Sequence, residues 1–237
     1  MSIFEQIAIV NFLADILNLF FPRTCLLCLN ALLDIEKHVC IACNHELPLT
    51  DFCHISDNEL EKTFYGRVPL QAGTALFYFH KFGKSQQLIH QLKYRGKQQL
   101  GDWSGNYLGQ LIAMSNRFGP FDAVVPVPLH PKKLRKRGYN QTERFGQQIA
   151  TVLEIPFRKE LLQRTTLVAT QSKRGRSDRW ENVQGQFFLQ DYNNLKDCHL
   201  LLVDDVVTTG ATVEACYLAL KAIPQLKLSL ACIAFTK

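Results

Sequence analysis

The sequence lacks any run of about twenty apolar residues free of charge, the length a membrane-spanning helix needs. Ile3 to Phe21 comes nearest, but Glu5 and Asp15 interrupt it, and Asn11 and Asn18 lie between them. No integral membrane span is therefore expected. A basic start is also missing. Met1 to Gln6 carries only Glu5, so a secretory signal is not expected. Residues 1–22 are read as an amphipathic helix packed on the body, in preference to one lying in a membrane interface. The expected location is cytoplasmic, with the inner face of the membrane as a further address. Low-complexity tracts and internal repeats are absent too, which argues against disordered and solenoid architectures.

What is present suits a globular protein. The chain has 237 residues, 47% of them hydrophobic and 20% charged. That length fits one α/β domain of about 150–200 residues plus a small appendage. Net charge is +6, a balance that favours polyanionic partners.

Eight cysteines would mean disulfides in a secreted protein. Without an export signal, reduced thiols or metal ligation are expected. Cys25, Cys28, Cys40 and Cys43 form two C-x2-C pairs across an 11-residue spacer. Each pair can place two sulfurs on one side of a tetrahedral metal, so structural Zn2+ is the expected cofactor. Four thiolates leave no open position for water. The alternative is four unligated cysteines, but so small a segment with little core scarcely folds without a staple. Cys198, Cys216 and Cys232 lie on apolar stretches and are expected in the core. The division expected is a helix over 1–22, a zinc-binding segment over 23–53, a linker over 54–70 and a ligand domain over 71–237.

Within that domain strand and helix signals alternate. Thr74–His80, Asp122–Val127, His199–Val203 and Lys227–Phe235 read as strands. Ser85–Lys93, a longer stretch through Leu100 to Leu111, Asn140–Leu153 and Thr212–Ile223 read as helices. Asn140 with Glu143 resembles a capping box. The fold class expected is α/β, a mostly parallel sheet flanked by helices, with right-handed crossovers.

The most specific run is Leu201 to Thr212, LLVDDVVTTGAT. An apolar strand ends in two adjacent carboxylates. Threonines, a glycine and a small residue then lead into a helix start. A helix N-terminus offers free N–H groups and partial positive charge to a phosphate. Gly210 and Ala211 let the backbone close on it, and threonine hydroxyls add donors. Two carboxylates can accept hydrogen bonds from vicinal ribose hydroxyls, and such a ligand often brings Mg2+.

This run resembles the phosphoribosyl-diphosphate motif of type I phosphoribosyltransferases. The resemblance implies that Asp204 and Asp205 hold ribose, and that Thr208, Thr209, Gly210, Ala211 and Thr212 hold its 5-phosphate. It also makes Lys93, Arg95 and Gly96 candidates for a pyrophosphate loop. The alternative for those three is an exposed basic turn. Beyond this run, Val124 to Leu129 (VVPVPL), Arg135 to Gln141 (RKRGYNQ), Arg164, Gln171, Arg179, Asn182, Val183 and Phe187 follow one branch of that fold. With the cysteine segment in front, the chain resembles the ComF-type competence proteins over nearly its whole length. Many relatives carry further cysteines after the second pair. Here only Cys53 stands there, followed by His54.

A basic stretch fits the same resemblance. Residues 132–179 hold thirteen Lys or Arg against four acids, Glu143, Glu154, Glu160 and Asp178. A solvated mixed-sign face does not explain that excess, whereas binding to a nucleic-acid backbone does. Arg135, Lys136, Arg137 and Tyr139 are the expected DNA contacts, with Trp180 as a second stacking candidate. Residues 164–182 also occupy the place of a catalytic loop in related transferases. The expected function is a part in natural transformation, handling incoming single-stranded DNA and binding phosphoribosyl diphosphate with Mg2+. Other DNA-uptake proteins are further candidate partners. One rival is a transferase moving phosphoribose to a base or amine, with Lys93, Arg95, Arg164 and Arg176 as candidate catalytic cations. Another is a non-catalytic adaptor that only binds the ligand.

Overall fold

The computed structural model describes residues 22–164, 186–192 and 195–237. The helix expected over 1–22 falls almost wholly outside them, as do Arg176, Gln171, Arg179, Trp180, Asn182, Val183 and most of the 164–182 stretch. Among the described residues no helix is long and apolar enough to cross a membrane. The chain divides into two compact units at Leu47/Pro48.

The first unit is short loops around the cysteines. The Cys25 amide donates to the Asn30 carbonyl (2.8 Å), and the Leu29 amide returns to Cys25 O (2.9 Å). A single helical turn, α1 (Ile41–His45), starts at Cys40, whose Sγ accepts from the Cys43 amide. Glu36 ties the segment between the pairs. Its two oxygens accept from the Leu33 and Ile41 amides, each at 2.7 Å. These bonds, the Ile41 one foremost, hold its carboxyl below the usual range.

The second unit is built on a four-stranded sheet. Strands β1 (Leu70–Tyr78), β2 (Ala123–Pro126), β5 (His199–Val207) and β6 (Lys227–Phe235) lie in the order β1-β6-β5-β2, all parallel. The expected class, a mostly parallel sheet flanked by helices behind a small four-cysteine segment, is the one observed. Central β6 is buried from Leu228 to Phe235. Both of its faces are covered, which is why it reads as a continuous apolar run rather than an alternation. A short antiparallel pair, β3 (Leu162–Arg164) with β4 (Phe187–Leu189), was not foreseen. Three-residue strands carry too little pattern to show.

Among the described residues six helices accompany the sheet: α2 (Glu59–Lys62), α3 (Lys84–Tyr94), α4 (Gln99–Ala113), α5 (Pro131–Arg137), α6 (Gln141–Leu153) and α7 (Ala211–Leu220). On one face α6 buries Phe145 and Ile149, one turn apart. It lies so close to the sheet that a Cβ on Gly146 would meet Val203 Cγ2 at 2.8 Å. Helix α4 packs on α6 in turn, and a Cβ at Gly105 would sit 2.3 Å from the Phe145 carbonyl oxygen. On the other face Val125, Leu200 and Leu202 share a core with Val213, Cys216 and Leu220 of α7. Cys198, Cys216 and Cys232 are all buried there, as expected.

Residues 54–70 are not a linker. Leu60, Phe64 and Val68 lie in that same core, with Phe52. Asn58 Nδ2 donates to Gly73 O (2.9 Å), and the Gly73 amide donates to Glu61 Oε1 (2.7 Å). Arg117 pairs with the same carboxylate at 2.6 Å. The cause is a four-residue helix, α2, too short to declare itself by periodicity, that brings Leu60 and Phe64 to one side. The boundary also moves. Cys53 belongs to the second unit, with its Sγ 3.3 Å from Thr74 Oγ1.

Candidate functional site

Strand β5 runs four residues further than its apolar run suggests. Its pairing with β6 continues past Val203 through Asp204↔Cys232, Val206↔Ala234 and Val207↔Phe235. On its other edge β2 stops, with Pro126 opposite Val203. Pro126 and Pro128 lack the N–H that a continuing ladder needs. The acid pair therefore begins where the β2 edge ends, at the carboxyl end of the sheet.

Asp204 and Asp205 are both buried. Burial, reinforced by the neighbouring Asp205 charge, pushes the Asp204 carboxyl up to about 8. Its Oδ1 accepts the Asp205 amide at 2.8 Å. The Asp205 carboxylate is held from two sides: Lys93 Nζ lies 2.8 Å from Oδ1, and Gln141 Nε2 donates to Oδ2. Gln141 opens α6, placed by Asn140. That residue caps the helix through the Thr142 amide (3.3 Å) and donates to Val127 O (3.1 Å) at the end of β2.

The loop after the acids leaves Thr208 and Thr209 exposed, with Ala211 and Thr212 exposed at the helix start. Gly210 precedes α7 at φ 77°, a left-handed conformation that favours glycine. No side chain caps the start of α7. The loop is braced from behind by Arg67. Its guanidinium donates to Thr209 O (2.7 Å) and pairs with Glu214 at 3.1 Å. A Cβ at Gly210 would lie 2.5 Å from the Phe64 ring. Arg67 and Phe64 escape a reading of the sequence because their segment carries no site motif.

The pyrophosphate and DNA candidates partly converge. Lys93, Gly96, Lys136, Arg137 and Tyr139 line one cleft of about 400 Å3, together with Tyr94 and Lys133. Arg135 is exposed and is not among its lining residues; neither is Arg95. The reason is helical. The basic run forms α5, with Pro131 at its first position and Gly138 closing it at φ 82°. Lys133, Lys136 and Arg137 then share a face, and Arg135 points elsewhere. Lys133 was legible from that spacing once the run is read as a helix. Tyr139 holds the cleft wall by donating its hydroxyl to Leu92 O. Arg137 stacks over the Tyr94 ring at 5.6 Å and donates to Gln141 Oε1. Arg164 sits over Phe187 at 5.0 Å and contacts Gln186 at 3.1 Å; its charge favours the ionised form of Asp204.

In the first unit the four expected cysteines come together. Their sulfurs lie within 4.8 Å of one another, with Cys28 and Cys40 at 3.6 Å. Tetrahedral zinc with bonds of about 2.3 Å needs sulfurs about 3.8 Å apart. The set also carries the N–H donors that thiolate ligands use. Leu27 and Cys40 amides each approach Cys25 Sγ at 3.4 Å. Burial alone would raise the Cys25 thiol, but the backbone donors outweigh it and bring it down to about 7. These residues fit a metal such as zinc. Chelator-free protein should carry about one zinc per chain, the content of a single four-thiolate site. Cys25→Ser or Cys40→Ser should lower that content by at least half, and Cys53→Ser should leave it unchanged. Elemental analysis of the purified protein decides it: zinc-free wild type, or loss on Cys53→Ser, contradicts the assignment.

The two units define a class: a parallel α/β unit with an acid pair at the end of β5, preceded in the chain by a four-cysteine unit whose sulfurs could hold a metal. Known proteins are similar to the chain in sequence. The chain is 26% identical over 209 residues to competence protein F of Haemophilus influenzae, covering 82% of this chain and 89% of that one. It is 31% identical over 129 residues to DNA utilization protein YhgH of Escherichia coli K12, covering 53% and 56%. Competence protein ComFC of Bacillus subtilis aligns at 23% over 198 residues, covering 81% and 75%. The resemblance to the ComF-type competence proteins is thus borne out. No family model matches the chain. Among solved structures, adenine phosphoribosyltransferases of Saccharomyces cerevisiae and Trypanosoma brucei align at TM-scores of 0.35 and 0.37. Their identities are 14% and 11%, over 59% and 81% of this chain and 69% and 87% of those chains. Overlaps this low carry no weight here.

Proposed function

We propose that this protein acts in DNA uptake for natural transformation, as a ComF-type competence protein. Its phosphoribosyltransferase-like domain binds phosphoribosyl diphosphate with Mg2+, and its basic face receives incoming single-stranded DNA. The observation that carries this reading is the juxtaposition at the end of β5. A buried acid pair, followed in the chain by a phosphate-type loop, lies within one side chain, Lys93, of a cleft rich in cations. Relatives named for competence and DNA utilization supply the context.

Within that reading Asp204 and Asp205 accept from the ribose hydroxyls, and the Thr208–Thr212 turn receives the 5-phosphate. Mg2+ would enter with the diphosphate and neutralise its charge beside the acids. The four thiolates hold structural zinc and leave no position for substrate. All eight cysteines are unpaired, which suits a reducing compartment, so we place the protein on the cytoplasmic side.

Titration calorimetry tests this directly. Phosphoribosyl diphosphate should bind with Mg2+ and far more weakly without it. A single-stranded oligonucleotide should bind in a separate titration. Binding of the diphosphate with no affinity for DNA would instead favour the transferase, and no diphosphate binding would remove the ribose-phosphate reading.

A further inference from the structure

The Asp205 carboxylate is held by two residues that both lead to the same cleft. Lys93 Nζ contacts Oδ1 at 2.8 Å, and Lys93 itself lines the cleft. Gln141 donates to Oδ2 while its own oxygen accepts from Arg137, a second cleft residue. The cleft offers Lys133, Lys136 and Arg137 beside Tyr94 and Tyr139. Tyr94 is 68% exposed, although Arg137 lies over its ring and His90 lies 5.2 Å from it. Cations beside exposed aromatic faces are what a single nucleic-acid strand needs, phosphates on one and bases on the other. Among the described residues no carboxylate lines this cleft.

We propose that Lys93 is shared between two sites, and that the cleft grips the phosphodiester backbone of a single DNA strand with Lys93 as its switchable cation. This rests on the function proposed above and adds a direction of coupling. With the acid pair empty, Lys93 neutralises Asp205 and lends the cleft little charge. Ribose hydroxyls, with the positive charge that Mg2+ would supply alongside them, would take up the Asp205 carboxylate and loosen its hold on the Lys93 ammonium. Lys93 then turns to the cleft, which gains one positive charge. The converse follows because coupling between two binding sites is reciprocal. A strand in the cleft draws Lys93 away and leaves Asp205 free for its ligand. The two ligands therefore help each other, although they lie side by side and are both anionic.

A double-mutant cycle separates this from a general charge effect. The probe is fluorescein-labelled dT20, followed by anisotropy at fixed salt. Asp205→Asn should release Lys93 and tighten dT20 by about fivefold, a modest coupling by the usual range. In a Lys93→Met background the same substitution should change dT20 affinity by less than about twofold. Equal gains in both backgrounds would show only a lost negative charge and overturn the proposal. If dT20 does not bind wild type at all, the DNA reading falls and this inference falls with it; additive mutants with normal dT20 binding sink the inference alone. Should a variant fail to fold, wild type still decides. Mg2+ with phosphoribosyl diphosphate must tighten dT20. Displacement of dT20 by that ligand, or by Mg2+ with inorganic pyrophosphate, would mean that the cleft holds the diphosphate instead.

Discussion

Replacing Asp204 and Asp205 together with alanine should abolish Mg2+-dependent binding of phosphoribosyl diphosphate while leaving the protein folded. Hydrogen bonds contribute roughly 0.5–1.5 kcal/mol to a neutral group and 1.5–3 kcal/mol to a charged one, so losing one of each costs about 30-fold to 2,000-fold in affinity. The fold should survive for a particular reason. Asp204 lies in β5 and pairs with β6 through its backbone, while burial makes the charged form of its side chain unfavourable, pushing its pKa up to about 8. Removing that side chain loses one local hydrogen bond, from the Asp205 amide, and relieves the cost of burying the carboxyl. Removing Asp205 frees Lys93 and Gln141, and Lys93 can turn to solvent. Calorimetry on the variant, with circular dichroism to confirm its fold, checks this. Wild-type affinity in a folded double variant would dismiss the ribose assignment.

Reversing Lys133, Lys136 and Arg137 to glutamate should weaken single-stranded DNA binding by about 100-fold at low salt. Each phosphate contact to a single strand releases about 0.7 of a counterion. The slope of log affinity against log salt should therefore become shallower by about 2, the sum over three lost contacts. Arg135→Glu alone should do much less, because α5 turns Arg135 away from the cleft. Anisotropy titrations across a salt series measure both quantities. Salt-independent binding, or wild-type affinity in the triple variant, would remove the basic run as the contact.

Much of this protein was legible along the chain, because some physics is local. Two C-x2-C pairs bring their sulfurs together through two short turns, and the structure has all four within reach of one metal. The strand, acid pair, small-residue turn and helix of Leu200–Leu220 are consecutive, so their order alone implies their geometry. The core strands declared themselves by unbroken apolar runs, and β6 has the limits expected of it.

What was not legible depends on residues distant in sequence. The segment 54–70 has the composition of a linker, yet Leu60 and Phe64 complete the core under α7, and Arg67 reaches across to Thr209. Helix α5 buries no residue, so it has no apolar stripe to betray it; without the helix, Arg135 could not be told from Lys133. The contacts of Asp205 join residues 64 and 112 positions away, Gln141 and Lys93. By itself the sequence singled out the candidate groups: four cysteines, two carboxylates, a turn of threonines and glycine, and a run of cations. Only the tertiary structure decided which of them face one another. Charge and hydrogen bonding act over a few ångströms of space, and only folding sets which distant residues come that close.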